Sequence, residues 1–181
     1  MLEPLSTSIN GPIGSILVRF GEANQDQRSP CHRLGAFAFG HPLSDADFIE
    51  REDFMSDLAL AREAGWRVWC VYAANEPNLV LATCKTIRRD LLVKHTERVH
   101  EKVGYCIASV VTHSDYRGLG LASFLLGGVA QWLDGPGGAA VSMLYSNKEG
   151  VRTYEFWYRM LCVSNGTIVI PEKWLDSSAG T

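Results

Sequence analysis

Val110-Val111-Thr112-His113-Ser114-Asp115-Tyr116-Arg117-Gly118-Leu119-Gly120-Leu121-Ala122 is the stretch that decides the fold. It passes from β-branched residues that favour a strand, through a short polar turn, to two glycines and then an apolar segment, Ala122 to Leu133, with helical character. A helix that opens after such a turn offers free main-chain N–H groups and the positive end of its dipole, and glycine lets a pyrophosphate approach the backbone. Arg117 adds a charged donor at the mouth. The stretch reads as an anion site.

Two common nucleotide motifs fit it poorly. A P-loop places Lys-Ser or Lys-Thr after its last glycine, and here Leu121-Ala122 follows. A dinucleotide fingerprint has a third glycine or alanine and usually sits at the start of a chain. Gly118-x-Gly120-x-x-Ser123 lacks that residue and lies deep in this one.

Working outward, Trp66 to Ala74 (WRVWCVYAA), Leu79 to Lys85 (LVLATCK) and Val103 to Thr112 (VGYCIASVVT) are strand-like, and Asn75-Glu76-Pro77-Asn78 closes the first two into an antiparallel hairpin. The charged stretch Arg88 to Lys102 reads as a linker-like loop able to reach over a substrate. Further upstream, Ser15 to Phe20 is a first strand, Asn24 to His32 a polar, Pro-interrupted loop, and Leu34 to Phe39 a short helix. Ser44, followed by Asp45 and Asp47, has the chemistry of an N-cap with acidic first-turn residues and predicts a helix from about Asp45 to Ala64, ended by Gly65. Downstream, Asp134-Gly135-Pro136-Gly137-Gly138 stops the helix that begins near Ala122. A strand from Ala140 to Tyr145, a helix from Glu149 to Arg159, and short strands at Leu161–Val163 and Thr167–Ile170 around Asn165-Gly166 complete an α/β pattern, read as one domain over residues 1–181.

Composition narrows the function classes. With 181 residues, 46% of them apolar, the chain builds a core without a metal or disulfide staple. A formal charge of −3 argues against a nucleic-acid backbone as partner. Five cysteines, at 31, 70, 84, 106 and 162, are odd in number and lack C-x-x-C spacing, so reduced thiols in a cytoplasmic protein are expected, with no metal site. MLEPLSTSINGPIG lacks a basic segment followed by an apolar core, so no secretory leader is expected. Gly118 to Leu133 is too short for a membrane span, and no membrane partner is expected.

THSDYRGLGLA resembles the acetyl-CoA loop of the GNAT acetyltransferases. The stretches HPLSDADFIEREDFM, LVLATCKTIRRDLLV, YCIASVVTHSDYRGLGLAS and SMLYSN, in that order between residues 41 and 150, are similar to the fungal lysine N6-acetyltransferase-like branch of that superfamily. The resemblance implies a GNAT fold: a mixed, mostly antiparallel central sheet, splayed at the cofactor strand and flanked by helices. It implies that Val110, Val111 and Thr112 line the pantetheine arm of acetyl-CoA, that Arg117, Gly118, Leu119, Gly120, Leu121 and Ala122 wrap its pyrophosphate, and that Asn147 contacts the cofactor, a plain helix N-cap being an equally good role for Asn147. In the family, a bulge in the strand before the loop exposes its backbone to that arm. The sequence departs from the branch at Cys84-Lys85, where a Cys-Glu pair is usual, in the absence of a long C-terminal extension, and in Tyr154-Glu155-Phe156-Trp157-Tyr158-Arg159, which replaces a Tyr-x-x-x-Gly-aromatic ending.

Acetyl transfer to an amine needs a deprotonated nucleophile, a donor for the developing oxyanion and a proton for the departing thiolate. A backbone N–H near Val111 suits the oxyanion. Tyr154 matches the family's proton donor, and a phenol with pKa near 10 is an acid of suitable strength for an alkyl thiolate; an aromatic core role in its cluster suits it equally. His113, at the turn, is a candidate base by its ordinary pKa, with turn filling as the competing role. Glu149, Glu101, Asp115 and a water chain remain open. The expected reaction is acetyl-CoA-dependent N-acetylation of a small-molecule amine, lysine-like or another amino metabolite, by a monomer or homodimer. The alternative is a GNAT-fold enzyme redirected to cyclisation or isomerisation in biosynthesis.

Overall fold

In the computed structural model, which describes residues 5–12, 14–59, 61–62, 65–95, 98–145, 160–164 and 167–169, eight strands form one sheet in chain order. They are β1 (Ser6–Gly11), β2 (Gly14–Glu22), β3 (Trp66–Ala73), β4 (Glu76–His95), β5 (Arg98–Thr112), β6 (Val141–Tyr145), β7 (Met160–Ser164) and β8 (Thr167–Val169). Pairing is antiparallel from β1 to β5, parallel from β5 to β7, and antiparallel again at β8. Helices α1 (Gln25–Phe39) and α2 (Asp45–Asp57) pack beside the sheet on the β3–β5 side, and α3 (Leu121–Asp134) is set against β2 to β5. This is the mixed, mostly antiparallel, helix-flanked sheet that the sequence led us to expect. Among the described residues no helix is long and apolar enough to cross a membrane.

The larger core lies under α3. Leu121, Leu125, Leu126, Val129 and Leu133 recur at helical spacing and are buried against Val18, Phe20, Trp69, Val71, Leu81 and Ile107. Aromatic stacking knits the layer together: Phe20 lies on Trp69 at 5.4 Å between ring centroids, and Trp69 meets Trp132 at 4.9 Å. The buried Trp69 indole N–H donates to Thr86 Oγ1 at 2.9 Å, so the one polar atom of that ring is satisfied.

Four expectations need correction. The polar stretch Asn24 to His32 is not a loop: it forms the first half of α1, capped by a reciprocal pair in which Asn24 accepts from the Gln27 N–H and Gln27 accepts from the Asn24 N–H. Pro30 sits inside this helix, and its buried residues, Gln27, Cys31, His32, Gly35 and Ala36, are too small or polar to show an apolar stripe in the sequence. Arg88 to Lys102 is not a linker either; β4 and β5 stay paired residue by residue out to His95↔Arg98. A ribbon with solvent on both faces carries no apolar alternation to mark it. Helix α2 ends at Asp57 rather than near Ala64, because Leu58 turns extended at ψ 150° and the chain then closes into a separate turn in which the Ala61 and Arg62 N–H groups both donate to Leu58 O. Finally, Ser6–Gly11 forms a polar strand hairpinned to β2 that the sequence reading did not include. The helix expected over Glu149–Arg159 lies outside the described residues.

Candidate active site

The register of β4 with β5 breaks beside the turn. Thr83 faces Val111, but Lys85 faces Ala108, so Ser109 and Val110 together oppose Cys84. Ser109 adopts φ +53°, the left-handed region that a non-glycine residue enters only when its surroundings impose it. This is a β-bulge, which bends and twists the strand that carries it. On the other side, β6 pairs with β5 only from Gly104↔Val141 to Ile107↔Leu144. From Ala108 to Thr112, β5 has no partner on that side among the described residues. The two strands therefore part where the bulge turns β5, and main-chain donors and acceptors are left for an extended ligand.

The turn after β5 is built to keep its backbone open. His113 N–H bonds Leu81 O at 2.8 Å, Ser114–Tyr116 form a single 3-10 turn, and the Tyr116 ring is buried. Arg117 Nε donates to Thr112 O at 3.3 Å, which folds the guanidinium back over the end of the strand. Gly118 and Gly120 both have positive φ, +78° and +77°, and a Cβ on either would point into open space. Their glycine identity is thus required by conformation and not by crowding. Leu119 packs against the core and Leu121 is buried. These two side chains pull the loop inward while the glycines between and before them face outward. Gly120 caps α3 with no side-chain hydrogen bond, leaving the first N–H groups of the helix to the space in front of them.

That space is a cleft of about 380 Å³. Val110, Val111, Thr112, Arg117, Gly118, Gly120, Leu121 and Ala122, all singled out in the sequence, line it together. Leu119 does not, because its side chain serves the core. Ala38, Tyr116 and Ser123 also line the cleft and were missed. Ala38 reaches it from the last turn of α1, a helix the sequence only half disclosed. The open N–H row, the cation and the unfilled glycine positions fit a diphosphate ester.

His113 is differently placed. Its Nδ1 accepts the Asp115 N–H at 3.3 Å, its ring packs edge-on to Tyr116, and it lines a separate cavity of about 300 Å³ with Arg33, Leu34 and Phe37 of α1. Asp115 accepts from Ser114 Oγ at 3.0 Å, and Glu101 is exposed on the ribbon. Tyr154, Asn147 and Glu149 lie outside the described residues.

Next to the bulge, on the α2 side of β4, Lys85 forms a buried ion pair with Glu52, which also binds Arg51 at 2.9 Å. The acidic side chain that position 85 lacks is thereby present in space, contributed by α2 as Glu52. Burial pushes the Glu52 carboxyl up, but the hydrogen bonds from Lys85 and Arg51 outweigh it and hold the group below the usual carboxylate range. Burial takes the Lys85 ammonium below its ordinary value despite Glu52. His32, buried nearby and 3.3 Å from Asp53, is likewise pushed down by burial, with Lys85 adding to the effect.

Comparison with known proteins agrees with this geometry. No curated protein sequence matches the chain. Among solved structures, it is similar to a Trypanosoma brucei acetyltransferase at 18% identity and TM-score 0.57, covering 78% of this chain and 92% of the other. Glucosamine-6-phosphate N-acetyltransferase from Arabidopsis thaliana aligns at 15% identity and TM-score 0.59, over 86% of this chain and 97% of that one. A predicted acetyltransferase from Clostridium acetobutylicum, solved with acetyl-CoA, aligns at 13% identity and TM-score 0.58, over 85% and 96%. These likenesses concern the fold. The family model for "Acetyltransferase (GNAT) family" matches residues 28–159, more than half of the sequence, and so the chain belongs to the GNAT family and is an N-acetyltransferase.

Proposed function

We propose that the chain acetylates the amine of a small molecule, lysine-like or another amino metabolite, with the pyrophosphate of acetyl-CoA held by Arg117 to Ala122 and its pantetheine arm lying along Val110 to Thr112. The observation that carries this reading is the end of β5, which among the described residues has no partner on its β6 side and leads from the Ser109 bulge into two outward-facing glycines and an uncapped helix start. When bound, the cofactor supplies an activated thioester. The chain's own part is positioning and charge: main-chain N–H groups of the turn hold the diphosphate, and the N–H near Val111 is the donor for negative charge that develops on the acyl oxygen. Tyr154 is proposed as the acid that returns a proton to the leaving thiolate, with Asn147 against the cofactor and His113 as a candidate base. The hydrogen bond into His113 Nδ1 occupies that lone pair and sets the proton of the neutral ring on Nε2, so action as a base requires that bond to open.

The four stretches in common with the fungal lysine N6-acetyltransferase-like branch support placing the chain near it, and exposed Phe37 and Phe39 on either side of Ala38 support an acceptor with an apolar portion. Free, buried Cys31, Cys70 and Cys84 support a reducing, cytoplasmic setting. Calorimetry with acetyl-CoA tests the site. Wild type is expected to bind, Arg117→Ala to bind more weakly, and a variant that adds Gly120→Trp not to bind at all, because the indole fills the approach to the amides. Equal affinity in all three overturns the proposed site. Gain of one acetyl mass on lysine or another free amine, and none without enzyme, tests the acceptor class.

A further inference from the structure

We infer that the β4–β5 ribbon is a self-association surface, on which a second copy of this chain adds its own β4 edge to edge about a two-fold axis at Leu92. β3 leaves β4 at Trp66↔Ile87, and β6 does not join β5 before Gly104. Between those points, Leu91–His95 and Arg98–Lys102 pair only with each other among the described residues. A two-stranded ribbon standing alone in water is marginal, and its free edges are templates for another strand. Leu92 and Val99 are 74% and 58% exposed. Leu92 faces Glu101, two residues from Val99, so the two apolar side chains are diagonal neighbours on one face. No proline or glycine interrupts residues 88–103 to blunt the edge.

The occupant follows from hydrogen-bond direction and charge. The Arg88 N–H points away from β5, to Gly65 O at 2.7 Å. By the period of two, the main-chain groups at positions 90, 92 and 94 also point outward. Two identical antiparallel edges with their axis at Leu92 set Leu92 against the partner subunit's Leu92, and Asp90 against the partner subunit's Lys94, twice by symmetry. Moving the axis to Leu91 opposes Arg88 to the partner subunit's Lys94, and moving it to Asp90 opposes that carboxylate to its own copy. Of these three axes, only the one at Leu92 sets unlike charges opposite each other. Asp90 is free to turn toward a partner, since it is 84% exposed and its contact with Arg88 is long, at 3.4 Å.

The experiment is light scattering with size-exclusion chromatography, at micromolar to submillimolar concentration, on the full chain and three variants. Wild type is expected to show a two-chain mass. Asp90→Lys and Lys94→Asp each put like charges at both contacts and should give a one-chain mass, while the double variant Asp90→Lys/Lys94→Asp exchanges the charges and should restore the dimer. A one-chain mass for wild type throughout, a dimer that survives both single reversals, or a double variant that stays at one chain overturns the proposal. None of these outcomes depends on cofactor binding, so it stands or falls separately from the proposed acceptor.

Discussion

The two faces of the sheet are held together by different means. Under α3 the layer is dry and aromatic: the buried side chains of the helix are apolar apart from Gly128, and they meet Phe20, Trp69 and Ile107. Under α1 and α2 the apolar cluster is small, with Ala23, Cys31, Val68, Cys70 and Val80, and the remaining buried positions include Gln27, His32, Glu52, Thr83 and Lys85. The α3 face presents the turn proposed to hold the cofactor, at the start of a helix fixed by its apolar packing. The other face carries ions where a hydrocarbon core would be firmer. Stability and chemistry are thus divided between the faces, and each can be disturbed separately.

The most damaging change should be on the ionic face. Lys85→Ala leaves Glu52 charged and buried with only Arg51 beside it, and denaturant unfolding is expected to show a loss of about 3–5 kcal/mol. Lys85→Met combined with Glu52→Leu removes both charges and should be close to neutral in stability. If the single and double variants are equally unstable, the pair is not what costs the face its firmness. On the apolar face, Gly128→Ala gains about 1 kcal/mol of helix propensity. It also places a methyl 2.5 Å from a Phe20 ring that is already stacked on Trp69. Overpacking costs about 1–3 kcal/mol, so a net loss is expected, with acetyl-CoA affinity of the folded protein unchanged. A gain in melting temperature would mean that the stack has room.

The gentlest test is pH. His32 has a lowered folded pKa, so below the ordinary imidazole value near 6.5 the unfolded chain binds more protons than the folded one, and stability falls as pH falls. Glu52, also lowered, stabilises the fold above the ordinary carboxylate range, and that contribution disappears as pH drops through its folded value. Thermal unfolding across this range should show two successive losses, and His32→Asn should lack the first. A variant at Gly128 should retain both. If His32→Asn follows the wild-type profile, the acid sensitivity lies elsewhere.

What was legible in the sequence follows the same division. The strand–turn–helix at Val110 to Ala122 could be read because its determinants are local: β-branched Val110 and Val111, glycines that need positive φ, and a leucine-rich helix with a strong apolar face. Helix α1 could not, since its buried residues are Gln27, Cys31, His32, Gly35 and Ala36 and its start signal is the less obvious Asn24–Gln27 pair. Nor could the ionic cluster be read, because Glu52 and Lys85 meet only after α2 folds onto β4, 33 residues away in sequence. Lys85 alone signals a lost acid, and only the tertiary contact shows where one reappears. The ribbon was hidden for a third reason: with water on both faces, pairing leaves no trace in hydropathy.

β5 runs for 15 residues from the tip of that ribbon to the cofactor turn, roughly 50 Å at strand rise. Its register with β4 breaks at one place along this length, the bulge at Ser109. Bulges bend the strand that carries them, so the direction in which the ribbon leaves the sheet and the direction in which Val110 and Val111 enter the turn are set at the same residue.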